Sequence, residues 1–114
     1  MTGVQTCALP IFGGRAEVLA ANLAHGEQRQ LEIAMVLATE PRLLLLDEPV
    51  AGMGIDESQR MVAFLGTLKG RQTIVLVEHD MDAVFTLADR ISVLVYGRII
   101  ADRKSTRLNS SHRL

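Results

Sequence analysis

Short apolar runs alternate with helical patterns along most of this chain. The stretch QRQLEIAMVLATE spaces Leu31, Ala34, Met35 and Ala38 as one face of a helix, which predicts an amphipathic helix stopped by Pro41. LLLLD follows, and consecutive leucines are typical of a short strand buried in a parallel sheet. The pattern therefore begins with a helix and continues into a buried strand.

The same alternation continues down the chain. Asp56 and Gln59 have the spacing of a capping box, and apolar residues after them predict a second helix that ends at Gly70. Asp80 is placed to cap a short helix within DMDAVFTLADR. Helices between successive strands predict an open α/β sheet with crossover helices, ending in a β-hairpin. The residues that carry this pattern are Met61, Phe64, Leu65 and Leu68 in the second helix, the strands TIVLV, ISVLV and RIIAD, and the turn Tyr96, Gly97 and Arg98.

Length and composition favour one small soluble domain, or a piece of one. The chain has 114 residues, of which 48% are hydrophobic and 4% aromatic, as in a packed α/β interior. No apolar run reaches the roughly 18 to 20 residues that would cross a bilayer. The single Cys7 excludes an internal disulfide and fits a reducing compartment.

The charge pattern argues against nucleic acid as a partner. Residues 1 to 102 hold eight Lys and Arg against thirteen Asp and Glu, a net charge of −5. Binding to phosphate backbones depends on clustered basic residues, and no such cluster stands out there. The remaining four basic residues lie in a polar C-terminal tail, which is predicted to be disordered.

Polar side chains close two of the predicted strands, where open α/β sheets place their chemistry. Asp47 and Glu48 end LLLLDE, and His79 lies in TIVLVEHD. One carboxylate can hold Mg²⁺ while its neighbour orients a water. Each feature also has a simpler alternative when it is considered alone. The Asp47–Glu48 pair would merely begin a loop, and His79 would be a surface or core histidine. Upstream, LAHGE puts Gly26 at a helix start, a phosphate-binding arrangement that lacks the usual lysine.

Taken in order over residues 17 to 101, these motifs resemble the nucleotide-binding domain of ATP-binding cassette (ABC) transporters. LAHGE at 23–27 is similar to the signature motif, and LLLLDEP at 43–49 to the Walker B strand. AGMG at 51–54 resembles the D-loop, and His79 the switch histidine. The sequence of these motifs is most similar to that of the ATPase subunits of branched-chain amino acid importers, although urea and other amide importers have similar sequences.

The resemblance implies a role for each motif. Asp47 would serve the Mg²⁺ shell, Glu48 would polarise the hydrolytic water, and His79 would contact the terminal phosphate of ATP. The signature residues would contact the ATP of a partner subunit, so the lysine would belong to another chain; they are Ala24, His25, Gly26 and Glu27. The implied partners are a second ATPase subunit, identical or not, and membrane permease subunits, on the cytoplasmic face of the inner membrane and without direct insertion.

The chain departs from the family pattern in places. The commonest signature has Ser and a second Gly where Ala24 and His25 stand, and the D-loop usually ends in Asp where Gly54 stands. The adenine-contacting aromatic residue, the lysine loop and the glutamine loop expected upstream are missing. Residues 15–102 are therefore expected to be the C-terminal half of such a domain, inactive alone, with 1–14 and 103–114 as non-native ends similar to sequencing-adapter read-through.

Two other function classes stay open. A genome-maintenance ATPase of the same superfamily would carry heptad coiled coils before the signature, and residues 1–22 show none. A metal-dependent hydrolase could use Asp47, Glu48, His79 and Asp80, but it would need a further ligand that the sequence does not declare.

Overall fold

The computed structural model describes residues 17–105, which fall into two compact units, one up to Val77 and one from Glu78. The predicted leader at 1–14 and most of the predicted tail lie outside these residues. The first unit holds a short 3-10 turn (Ala20–Asn22), helix α1 (His25–Leu37), strand β1 (Leu43–Asp47), helix α2 (Ile55–Leu68) and strand β2 (Thr73–Val77). The second unit holds α3 (Met81–Leu87), β3 (Arg90–Val95) and β4 (Arg98–Lys104).

In the first unit, β1 and β2 pair in parallel, and α2 makes the crossover between them. The register runs from Leu43 opposite Thr73 to Asp47 opposite Val77. One further bond extends the ladder, because the Glu48 N–H donates to the Val77 carbonyl at 2.7 Å. The βαβ connection and the strand limits that the sequence predicts are confirmed here.

Apolar side chains of α1, β1 and α2 form the core of this unit. The α2 stripe is largely confirmed, because Met61 is 0% exposed and Leu65 1%, while Phe64 is only half-buried. Burying an aliphatic side chain of this size contributes about 1.5–3 kcal/mol. The other buried apolar residues of these elements are Ile33, Ala34, Leu37, Leu44 and Leu68.

The predicted buried face of α1 is wrong in part. Of the predicted residues only Ala34 is buried, and Met35 is 62% exposed. The helix begins at His25 and ends at Leu37, and its buried residues form a stripe that is rotated from the predicted one. That stripe includes Gly26 and Gln30, which a search for apolar residues passes over; its members are Gly26, Gln30, Ile33, Ala34 and Leu37.

The expectation that LLLLD is buried on both faces is also wrong. Leu44 is buried, whereas Leu43 and Leu45 are 51% and 68% exposed. On β2, Val75 pairs with Leu45 and Val77 pairs with Asp47, and these two valines are 49% and 58% exposed. Residues 17–105 thus cover only one face of this sheet.

The capping box expected at Asp56 and Gln59 is not formed. The N-cap of α2 is Gly54, without a side-chain hydrogen bond. Asp56 instead lies in the first turn, where a carboxylate still favours the helix dipole. The helix therefore starts two residues earlier than the acidic cap signal implies.

In the second unit, the predicted cap of α3 is confirmed, because Asp80 Oδ1 accepts the Ala83 N–H at 3.1 Å. The predicted hairpin is also confirmed: β3 and β4 pair antiparallel, with a register shift between Val93 and Leu94. Its turn has positive φ at Tyr96 (47°) and Gly97 (75°). Two successive left-handed residues match the strand twist of a tight hairpin turn.

Strand β4 extends beyond the predicted end at residue 102. Arg103 and Lys104 pair with β3, and the Ser105 N–H donates to the Asp89 carbonyl at 2.9 Å. The expectation of disorder from residue 103 is therefore wrong for these three residues, since polar side chains on both faces do not prevent backbone pairing. Residues 106–114 lie outside the described part of the chain.

The described strands form two two-stranded sheets, β1 with β2 and β3 with β4, rather than the single open sheet expected. Alternating patterns define strands locally, but which strands share a sheet depends on partners distant in sequence. The mixed α/β class is nevertheless as predicted. Within residues 17–105, no helix is long and apolar enough to cross a bilayer.

An exposed ion pair joins the two strands of the hairpin. Arg90 Nε donates to Asp102 Oδ1 at 2.8 Å, a second guanidinium nitrogen reaches Oδ2, and the Ser92 hydroxyl donates to Oδ1 at 3.1 Å. These contacts, led by the Arg90 hydrogen bonds, lower the pKa of Asp102 and raise that of Arg90. The pair therefore favours the ionised carboxylate in the folded hairpin.

A lowered pKa in the folded state predicts how pH affects this hairpin. The stabilisation from Asp102 is present above the carboxyl's ordinary pKa of 3.8 and is lost as pH falls through the lower folded-state value. A carbon-13 NMR titration of the Asp102 carboxyl should give a pKa below 3.8, and Arg90→Ala should return it towards 3.8. Ser92→Ala, which removes one weaker hydrogen bond to the same carboxyl, is the control and should move the Asp102 pKa less than Arg90→Ala does. An Asp102 pKa that Arg90→Ala does not move would contradict the assignment.

Candidate nucleotide site at the end of strand β1

The predicted catalytic pair lies where β1 ends. Asp47 is the last residue of the strand and is exposed on the same face as Leu45. Glu48 has a φ of 47°, a left-handed conformation that costs a non-glycine residue about 1–2 kcal/mol. The strand ends before Glu48, so the alternation of side chains along a strand does not determine the direction of the Glu48 side chain.

Backbone hydrogen bonds hold Glu48 in that strained conformation. Its N–H donates to Val77 at the end of β2, and its carbonyl accepts the Ala51 N–H at 3.1 Å. Pro49 and Val50, which follow it, are buried. A non-glycine residue persists in a left-handed conformation where its surroundings over-determine it, and such positions cluster at functional sites. Glu48 is therefore a half-buried residue with a fixed backbone, next to the exposed Asp47.

The residues with D-loop similarity form the turn between Glu48 and α2. Gly52 has a φ of 75°, and the Met53 N–H donates to the Val50 carbonyl at 3.2 Å. A β-carbon at Gly52 would lie 3.8 Å from Nε2 of His25. The start of α1 and this turn therefore lie next to each other within the first unit.

The LAHGE segment forms the start of α1, as its glycine and helical pattern predict. Ala24 is the N-cap, and because it has no side-chain oxygen only half of a capping box forms: Glu27 Oε1 accepts the Ala24 N–H at 3.2 Å. The Gln28 amide fixes the preceding turn by donating to the carbonyls of Ala20 and Leu23, both at 3.2 Å. The N–H groups of a first helical turn have no carbonyl partner within the helix, so they can meet an anion.

Gly26 is buried against a side chain from α2. A β-carbon at this position would lie 3.2 Å from Cδ and 3.3 Å from Oε2 of Glu57, closer than side chains ordinarily approach. Glycine is thus the residue that permits the Glu57 carboxylate to sit beside the first turn of α1, where negative charge is favoured. Sequence reasoning missed Glu57, because 31 positions separate it from its partner.

Arg29 is a second residue that the motifs did not reveal. Its Nη2 donates to the Glu48 carbonyl over a long 3.5 Å. The same carbonyl closes the turn with Ala51, so the guanidinium adds a link between α1 and the end of β1. The first unit therefore brings together the signature-like segment, the D-loop-like turn and the Asp47–Glu48 pair.

His79 belongs to the second unit, in the turn before α3. Its side chain is 78% exposed, with Glu78 on one side and the capping Asp80 on the other. One Asp80 oxygen is committed to the Ala83 N–H, so it is not an open ligand position. Among residues 17–105, no three His, Cys, Asp or Glu side chains come together to hold a metal ion.

Comparison with known proteins agrees with the motifs. A family model described as ABC transporter matches residues 9–51. The chain is 42% identical over 85 residues to the high-affinity branched-chain amino acid transport ATP-binding protein BraF of Pseudomonas aeruginosa. That match covers 73% of this chain and 33% of BraF. The chain thus spans about a third of the length of the curated relatives it matches.

Solved structures give the same fold. MJ1267, an ATP-binding cassette of an ABC transporter, superposes with a TM-score of 0.81 at 25% identity, over 96% of this chain and 44% of MJ1267. The dimeric, post-hydrolysis structure of the ATP-binding cassette MJ0796 bound to ADP and Pi superposes with a TM-score of 0.65 at 26% identity. That match covers 75% of this chain and 37% of MJ0796. Matched motifs, matched sequence and matched fold together place this chain in the family of ABC transporter ATP-binding proteins, over part of the length of its relatives.

Proposed function

We propose that this chain is part of the ATP-hydrolysing subunit of an ABC importer for branched-chain amino acids or related solutes. The observation that carries the proposal is the packing of the signature-like helix start against the turn that follows Glu48, through His25 and Gly52. This packing fixes both elements within one subunit, where Glu48 serves the nucleotide of its own subunit and the helix start serves that of the partner. The printed name of BraF supports the solute class.

In the intact subunit, the two strand-end carboxylates have separate tasks. Glu48, fixed by its backbone, orients the water that attacks the terminal phosphate. Asp47 fits Mg²⁺, because it is an exposed hard-oxygen ligand and Mg²⁺ is commonly held by one or two carboxylates together with substrate phosphates. When bound, the ion neutralises charge on those phosphates. His79 donates to the terminal phosphate from its exposed position.

The signature-like segment acts on nucleotide held by a second ATPase subunit. The N–H groups of His25 and Gly26, in the first turn of α1, have no carbonyl partner within the helix and can bind an anion. The segment LAHGEQRQLEIAMVL contains no lysine to hold a triphosphate. Such a site becomes strong only when a partner brings the phosphates. The dimeric form of MJ0796 is consistent with this arrangement. In this proposal the subunit also binds membrane permease subunits and lies peripherally on the cytoplasmic face of the inner membrane.

The role of Glu48 predicts a separation of binding from hydrolysis in the complete subunit. Glu48→Gln keeps the shape of the side chain but removes the base, so hydrolysis should fall by about 10²–10⁴-fold, while ATP-held dimers persist. Phosphate release and size-exclusion chromatography with ATP measure the two effects.

Glu40 provides a matched control for that substitution. It is also a glutamate with positive φ (54°), but it is exposed and precedes β1 instead of following it. Glu40→Gln should leave hydrolysis unchanged. Full hydrolysis in Glu48→Gln, or equal losses in both variants, would contradict the assignment to Glu48.

The proposed action across the dimer can be tested at Gly26, provided that the contact within the chain is removed first. An aspartate at Gly26 would repel the phosphates, but its β-carbon would also crowd the Glu57 carboxylate. The informative variant is therefore Gly26→Asp combined with Glu57→Ala, with Glu57→Ala alone as the control that still closes with ATP. The double variant should bind ATP at its own lysine loop but fail to close as a homodimer.

Mixing this double variant with a subunit defective only in the lysine loop restores one composite site. If the segment acts in trans, ATP should close the mixed dimer although neither homodimer closes, as measured by light scattering or by a fluorescence pair. No closure of the mixed dimer, with both proteins folded, would mean that the segment serves its own chain.

A further inference from the structure

A buried carboxylate precedes His79 in the turn that follows β2. The Glu78 side chain is only 1% exposed, whereas the neighbouring His79 side chain is 78% exposed. Removing a carboxylate from water is costly unless hydrogen-bond donors replace the lost solvent. The donors that face Glu78 therefore indicate what this residue does.

Two of those donors are the backbone N–H groups on either side of the His79 α-carbon. Glu78 Oε1 accepts the His79 N–H at 3.0 Å and the Asp80 N–H at 3.4 Å. Hydrogen bonds from backbone N–H groups to a carboxylate are stronger than those between neutral groups. One oxygen of Glu78 thus fixes both peptide groups that carry His79.

The imidazole ring is not held by that oxygen. His79 Nδ1 lies 3.8 Å from Glu78 Oε1, which is beyond hydrogen-bonding distance. The next carboxylate, Asp80, is used differently, because it accepts the Ala83 N–H and caps α3. Glu78 fixes the turn, Asp80 fixes the helix start, and the ring between them stays exposed.

We propose that Glu78 is a positioning residue for hydrolysis, which holds the backbone of His79 so that the exposed ring meets the terminal phosphate of ATP in one orientation. This inference rests on the proposed function, which gives that contact to His79. Displacement of a catalytic group by about 1 Å can cost on the order of 10²-fold in rate. Glu78 affects turnover through His79 and does not touch the substrate.

The test compares Glu78→Gln with Glu78→Ala in the complete subunit. Glutamine keeps an oxygen that accepts the two N–H groups, whereas alanine does not. Glu78→Ala should lower kcat about tenfold or more with little change in the KM for ATP, and hydrogen exchange at the His79 and Asp80 amides should accelerate. Glu78→Gln should retain most of the kcat and the slow exchange.

Asp82 supplies the matched control. It is an exposed carboxylate in the first turn of α3, so Asp82→Asn removes a nearby charge without touching the bonds of Glu78. It should leave kcat and both amides unchanged. If Glu78→Ala does not fold, Glu78→Asp replaces it, since the carboxylate is kept but is one methylene too short.

The effect of Glu78 must also disappear when His79 is absent. In a His79→Ala background, Glu78→Ala should cause no further loss of turnover. An equal loss in both backgrounds, or unchanged amide exchange in Glu78→Ala, would overturn the positioning role. Failure of the proposed function looks different: His79→Ala and Glu48→Gln would each leave ATP hydrolysis intact, and Glu78 would then have only a structural role.

Discussion

The hydrogen bond from the Glu48 N–H to the Val77 carbonyl is the interaction on which the site depends. It carries the parallel pairing of β1 and β2 one residue past the end of β1, to the position where the proposed catalytic carboxylate stands. Together with the bond from Ala51 to the Glu48 carbonyl, it holds Glu48 in a left-handed conformation. The strain is offset by the surrounding pairing and by the buried Pro49 and Val50.

Glycines allow the remaining parts of the site to reach this strand end. Gly52 supplies the left-handed φ of 75° in the turn beside His25, and at Gly26 the absence of a β-carbon leaves room for Glu57. Arg29 adds a link to the Glu48 carbonyl. Gly26 thus has a packing role within its own chain in addition to the role proposed across the dimer. The two roles have to be separated before a substitution at Gly26 can be interpreted.

Much of the secondary structure could be predicted from the sequence because the signals for it are local. The strand limits of LLLLD and TIVLV, the Asp80 cap and the Tyr96–Gly97 turn follow from short patterns whose physics involves neighbours along the chain. The buried stripe of α1 was misjudged because it runs through Gly26 and Gln30, which carry no hydrophobic signal. Exposure of Leu43 and Leu45 was missed for a related reason, since burial of a strand depends on what covers it.

The residues of the candidate site also divide into those that lie in local motifs and those that act through contacts with distant segments. Asp47, Glu48, Gly26 and His79 lie in short motifs, so their positions could be named from the sequence. Arg29 and Glu57 act through contacts with distant segments, which no spacing rule indicates. Glu78 was visible as one of the charges that close TIVLVEHD, but only its buried side chain and its two backbone partners indicate a task distinct from that of His79.

The central claim is that this chain supplies catalytic and signature-like groups without a cradle for the phosphates. Calorimetric titration of the 114-residue chain with Mg-ATP tests it most directly. The account predicts no binding in the micromolar range, because the sequence has no glycine-rich lysine loop and Asp47, Glu48 and Gly26 cannot replace one. Micromolar binding by the folded monomer would contradict the account.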